Sequence, residues 1–161
     1  MVEFKVVQVE KPEDVNVIIG GTHFIKSVED IYEAVADSAP SVKFGLAFCE
    51  ASGPRLVRKA GNDGDLVELA VKNAREIGAG HTFVLLIREA YPINILPRLK
   101  SIPEVTHIIA ATANPLQVIV AETEQGRGIV GVIDGGSPLG VETEKEVEER
   151  RKFLRKIGYK L

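Results

Sequence analysis

Cysteine occurs once in this chain of 161 residues, at Cys49, and that scarcity removes two possibilities at the outset. One thiol closes no internal disulfide, and one thiol with three scattered histidines does not make the Cys-rich tetrahedral site of structural zinc. An excess of charge is also missing. Twenty Lys and Arg against 23 Asp and Glu leave a net charge of -3, unlike the concentrated basic face of a nucleic-acid binder. No run approaches the roughly 18 consecutive apolar residues of a membrane span. The start, MVEFKVVQVEK, alternates as a strand does and lacks the basic and apolar blocks of a signal peptide. We therefore expect a cytoplasmic protein that engages neither nucleic acid nor membrane. The phosphate loop G-x-x-x-x-G-K-[ST] and the protein-kinase motifs are absent too, so any phosphoryl chemistry needs a nonstandard site.

What is present is an ordinary globular composition, 45% hydrophobic and 27% charged, in one expected domain over residues 1–161. A chain of this length buries on the order of 70% of the surface its unfolded form exposes. Apolar runs with strand character occur at FKVVQVE, VNVIIGG, VKFGLAFCEA, RLVRKAG, HTFVLLIREA, VTHIIAATA, LQVIVAETE and GIVGVID. Four helices are expected between and after them. The first starts at Ser27, read as a cap with Asp30 closing a capping box; the second runs from Asp63 to a glycine stop at Gly78. A third spans Asn94 to Lys100 with Pro97 in its first turn. The fourth opens on Thr143 and Glu146 as a capping box and turns Val147, Leu154 and Ile157 inward. These patterns predict an α/β (α+β) fold, a mixed β-sheet of about eight strands with about four helices packed on it. EFKVVQVEK reads as an edge strand, and exposed edges in a small chain favour a homo-oligomer that covers them.

The run TEQGRGIVGVIDGGSPLG, Thr123 to Gly140, places six glycines around Arg127, Asp134 and Ser137. Gly126, Gly128 and Gly131 satisfy the letters G-x-G-x-x-G, but a strand follows them where a dinucleotide fingerprint needs a helix. The run therefore reads as a glycine turn between strands. Its backbone can approach a ligand closely, and Arg127 is available to an anion.

Other polar groups fall at element ends. IIGGTHFIKSVED sets His23 and Lys26 just ahead of a helix, a position that suits phosphate, and a neutral imidazole there is a nucleophile toward phosphorus. A loop histidine that bonds a strand end is the plain alternative, as it is for His81 in GAGHTF, whereas His107 in VTHIIA reads as a packing residue. Cys49 stands beside the anion Glu50 and reads as structural. Glu50, Ser52 and Arg55 cluster at a strand end, with Glu50 suited to ribose hydroxyls and Arg55 or Arg58 to phosphate. In the turn ATANP, Thr112 and Asn114 offer a slot for a flat ring, since the Asn amide matches the donor and acceptor edge of adenine. Glu122, Glu124 and Asp134 flank the glycine run as candidate Mg²⁺ ligands, Glu124 and Asp134 first.

GTHFIKSVEDIYEA, VKFGLAFCEASGP, GAGHTFVLLIREAYPIN, ATANP and VIVAETEQGRGIVGVIDG together, in this order and over nearly the whole chain, resemble the adenosine-specific kinase family of archaea and some bacteria. The resemblance implies a protein that binds adenosine, AMP or ATP and carries a phosphorylated histidine. By motif, His23 in GTHF is the first choice for that histidine and His81 in GAGH the second; His107 matches no motif. ATP is then the expected phosphoryl donor, and Mg²⁺ at the carboxylates beside the glycine run the expected metal. Two functions then stand: a kinase passing phosphate through His23 toward adenosine, and a noncatalytic adenosine or AMP sensor modified on histidine. The substrate-facing set for either is Lys26, Glu50, Ser52, Arg55, Thr112, Asn114, Gly126, Arg127 and Gly128.

Overall fold

In the computed structural model, which describes residues 1–161, the chain runs β1 (Glu3–Gln8), β2 (Asn16–Thr22), α1 (Ser27–Ser38), β3 (Lys43–Cys49), β4 (Val57–Gly61), α2 (Gly64–Ile77) and β5 (Thr82–Arg88). It continues through α3 (Pro92–Lys100), β6 (Val105–Thr112), β7 (Leu116–Glu122), β8 (Arg127–Asp134) and α4 (Glu144–Lys156). The fold is α+β with eight strands and four helices, as the periodicity predicts. The strands divide into two sheets, one of five in the order β4-β3-β5-β2-β6 and one of three in the order β1-β7-β8, and every ladder is antiparallel.

The five-stranded sheet is the centre because its inner strands have apolar residues on both faces. Val17, Ile19, Ala47, Val84 and Leu86 point one way, into a core shared with α2 and with Leu116, Val118 and Val120 of β7. Ile18, Phe44, Leu46, Phe48, Phe83, Leu85 and Ile87 point the other way, against Val28, Ile31 and Val35 of α1 and Ile95 and Leu99 of α3. The period of two in each strand produces this division, and helices or a second sheet must cover both sides. The layers are thus α1 and α3, the large sheet, then α2 beside the small sheet.

Three helix readings need correction. Ser27 does not cap α1: the N-cap is Lys26, and the buried Ser27 hydroxyl donates to the Phe24 carbonyl at 2.8 Å and also meets the Thr22 hydroxyl. The chain enters the helix through a tight turn, so the amides of Ser27, Val28 and Glu29 bond the carbonyls of Phe24, Ile25 and Lys26. α3 begins earlier than expected. Pro92 takes the first helical position and Pro97 lies inside the helix, while the Asn94 side chain accepts from the Tyr91 amide at 2.9 Å. α4 has its capping box, with the Thr143 amide donating to Glu146 at 2.7 Å, but no residue of it is buried. Val147 and Leu154 are only half-buried, Ile157 is exposed, and the helix packs on no other element to any substantial extent. The reading of α2 holds without change: Asp63 accepts from the Leu66 amide at 3.1 Å, and Gly78 ends the helix in the left-handed conformation at φ 64°.

Candidate functional site

Two adjoining cavities open at one end of the molecule. The larger, about 860 Å³, lies between the β3–β4 turn, the C-terminal end of α2 and the β7–β8 hairpin. The smaller, about 250 Å³, is lined by His23, His81 and His107, and both cavities touch Gly80 and Gly128. The hairpin is the glycine turn expected from the sequence, closed by the Thr123 amide donating to the Gly126 carbonyl at 2.9 Å.

Arg55, Arg75 and Arg127 all line the larger cavity. Arg127 is committed to the fold: it donates to the Glu76 carbonyl at 2.9 Å and stands 3.5 Å from the Glu122 carboxylate. A cation at the C-terminal end of α2 meets the negative end of the helix dipole, so this contact ties the hairpin to the helix. Arg55 and Arg75 make no ion pair or side-chain hydrogen bond within the chain. Arg55 sits in a turn at φ 49°, where its amide bonds the Ser52 carbonyl at 3.2 Å, and Ser52 serves that turn without lining the cavity. Arg75 was not picked out in the sequence. It reads there as a helix-end cation, and only its position over the cavity distinguishes it.

Glu50 also lines the cavity, where it accepts from the Leu56 amide at 3.0 Å and pairs with Arg58 at 3.1 Å. The Leu56 amide first, then the Arg58 guanidinium, hold its carboxyl below the ordinary carboxylate range. Cys49 is buried against this wall with its thiol directed at the Ala74 carbonyl, and burial pushes the thiol up to about 11. A thiol so poised is not a nucleophile at neutral pH, in agreement with its structural reading.

The histidine end is assembled by backbone contacts. His81 donates its amide to the Cys49 carbonyl at 2.7 Å and accepts the Thr22 amide at 2.9 Å, joining the ends of β3 and β2. It adopts φ 63°, and its ring stacks on Phe48 at 6.1 Å. His23 follows Thr22 directly and donates its amide to the Glu104 carbonyl at 3.2 Å. His107 comes from β6 opposite Gly21, through an irregular stretch of the β2–β6 ladder. A Cβ on Gly21 would lie 2.4 Å from the His107 ring, so the glycine makes room for the imidazole in this position. His107 is therefore not a packing residue but an exposed one, bonded through Nδ1 to the Thr106 hydroxyl at 2.7 Å. Alternation along VTHIIA suggests packing, but on an edge strand the pattern alone does not say which face is covered.

The remaining candidates lie elsewhere or are occupied. Lys26 pairs with Asp30 at 2.6 Å and Glu104 at 3.3 Å, and hydrogen bonds to these two carboxylates raise its pKa. Thr112, Asn114 and Asp134 form their own cluster, with Thr112 donating to Asp134 at 2.7 Å and Asn114 at 3.2 Å. That cluster closes the far end of β8. Seven residue steps separate Arg127 from Asp134, about 23 Å of strand, so Glu124 at the hairpin and Asp134 do not share an ion. Gly126, Arg127 and Gly128 line the larger cavity.

The class defined by these features is a two-sheet α+β protein with an arginine-lined cleft beside a cavity lined by three histidines. The chain belongs to the adenosine-specific kinase family, whose sequence model, described as adenosine specific kinase, matches residues 7–160. It is similar along 100% of its length to the PH1918 protein from Pyrococcus horikoshii OT3, a crystal structure with 50% identity, 99% of that chain covered and a TM-score of 0.96. No curated protein matches it.

Proposed function

We propose that this protein binds adenosine and adenine nucleotides in the larger cavity and transfers a phosphoryl group from ATP to adenosine through His23. The observation that carries the reading is the pair of uncommitted guanidiniums, Arg55 and Arg75, in a cleft that adjoins the three-histidine cavity at Gly80 and Gly128. Guanidinium forks suit phosphate oxygens, and the neighbouring histidines offer nitrogen nucleophiles for a transferred group. A neutral imidazole nitrogen of His23 attacks the γ-phosphorus of ATP; the bond to the β-phosphate oxygen breaks, ADP leaves and the ring proton passes to water. The 5′-hydroxyl of adenosine then attacks the phosphorus, the P–N bond breaks and the hydroxyl proton returns to the imidazole, giving AMP. Mg²⁺ would arrive on the phosphates of ATP, since Glu124 and Asp134 do not form a joint site.

Intact-mass measurement after incubation with ATP and Mg²⁺ tests the nucleophile. Wild type should gain one phosphoryl mass that mild acid removes, His23→Ala should not, and His81→Ala and His107→Ala should. Labelling that is lost only in His81→Ala moves the nucleophile to His81, and labelling that survives every substitution ends the histidine mechanism. A sensing module is the second reading, favoured by the engagement of Glu50 with Arg58 and of Glu104 with Lys26, which leaves those carboxylates poorly placed as a base toward adenosine. Repeated turnover of adenosine to AMP rejects it; binding without turnover supports it.

A further inference from the structure

The small sheet is covered on one face and bare on the other. Val7, Ile129 and Val132 flank Val118 and Val120 on the covered face, against the core shared with α2. The opposite face carries Phe4 at 67% exposure, Val6 at 60%, Val130 at 62% and Ile133 at 50%, around the half-buried Ile119. Large apolar side chains concentrated on one sheet face mark a contact surface, where scattered ones would be unremarkable. The same chain holds a helix with the complementary defect. α4 has Phe153 at 57% exposure and Ile157 exposed beside the half-buried Val147 and Leu154, and it follows a segment, residues 136–143, that is exposed throughout.

We propose that α4 of one copy lies across the bare face of the β1-β7-β8 sheet of a second copy, and that the exchange assembles the protein into a homo-oligomer. The dimensions agree. Thirteen residues of α4 make a rod of about 20 Å, and strands of six to eight residues span about 20 to 26 Å. Charge agrees as well. The second half of α4 carries Arg150, Arg151, Lys152, Arg155 and Lys156, of which Arg151, Arg155 and Lys156 have no ion pair within the chain. At the end of the sheet where β1 begins and β7 ends stand Glu3 and Glu124, also without an ion pair within the chain, while Glu122 there is taken by Lys5 and Arg127. Seating the basic half of α4 over that end brings Arg151, Arg155 and Lys156 toward Glu3 and Glu124 at the rim of the sheet. A second copy is the occupant because each chain offers one bare face and one bare helix, so exchange satisfies both at once and closes by symmetry.

The test uses the full chain carrying Val6→Cys together with Phe153→Cys, since buried Cys49 adds no accessible thiol. Mild oxidation should give disulfide-linked species of two or more chains on a non-reducing gel, and neither single variant should. Light scattering should find wild type as more than one chain, with Val6→Glu and Phe153→Glu each reduced to a single chain of unchanged circular dichroism. Any of four results overturns the proposal: a wild type that stays a single chain at all concentrations, a disulfide formed only within one chain, linkage by the single variants alone, or an oligomer that survives both glutamates. If a glutamate variant fails to fold, the cross-linking decides.

Discussion

β5 and β7 carry comparable apolar runs, FVLLI and LQVIVA, yet β5 is enclosed by protein on both sides and β7 on one. The difference follows from partners. β5 lies between β2 and β3 under α1 and α2, whereas β7 has only β1 and β8 as neighbours and rests a single face on the common core. Burial is therefore uneven in this molecule: the large sheet carries most of it and supplies the histidines at the ends and edge of its strands, while the small sheet supplies the hairpin wall of the cleft. A cleft bordered by both sheets also makes a ligand a bridge between the two regions.

The largest expected effect is a direct contrast between them. Leu86→Ala, in the enclosed sheet, should cost about 2 to 5 kcal/mol in denaturant unfolding. Val130→Ala, on the bare face, should stay within about 0.5 kcal/mol in any form where that face is open. Similar losses at both positions would break the comparison.

Ligand bridging comes next. Adenosine or AMP at about 100 times its dissociation constant should add roughly 2.7 kcal/mol to stability, while guanosine adds little, a preference that rests on family membership. Hydrogen exchange should place the gain in protection on the β7–β8 hairpin more than on β5. Uniform protection would mean that the cleft is not where the ligand binds.

Arg75 and Arg127 sharpen the contrast further. Arg75→Ala should weaken AMP and ATP by about 1.5 to 3 kcal/mol relative to adenosine, leaving the melting temperature nearly unchanged. Arg127→Ala should lower both nucleotide affinity and melting temperature, because it also releases the hairpin from the Glu76 carbonyl. Calorimetry with thermal melts of both variants separates ligand contact from tie. Equal loss of adenosine in Arg75→Ala would put that side chain on the nucleoside.

The smallest effect concerns acid. The Glu50 carboxyl is depressed in the folded state, so its contribution to stability is present above the ordinary carboxylate pKa and lost as pH falls through the lower folded value. Glu50→Gln should therefore lose less stability than wild type between about pH 6 and pH 3. An identical acid limb in the two proteins would remove Glu50 as a contributor.

Strand periodicity, the Asp63 cap and the Gly78 stop were legible because each depends on a few consecutive residues whose backbone preferences agree with the fold. The glycine hairpin with Arg127 was legible for the same reason. Arg75 was not, since nothing local separates a cation that faces a cleft from one that faces water. Lys26 and Asn114 illustrate the converse. Their types suit phosphate and adenine, but Glu104 and Asp134, distant in sequence, occupy them.

By itself, then, the order of residues determined the eight strands, the four helices and the family to which the chain belongs, because these rest on local pattern and on long motifs. Tertiary structure alone decided that the strands divide into two sheets, that three histidines from separate segments meet in one cavity, and that α4 stands away from its own core. Each of those outcomes depends on contacts between residues far apart in the chain, and the free energy of such contacts is set by the packing of the whole molecule.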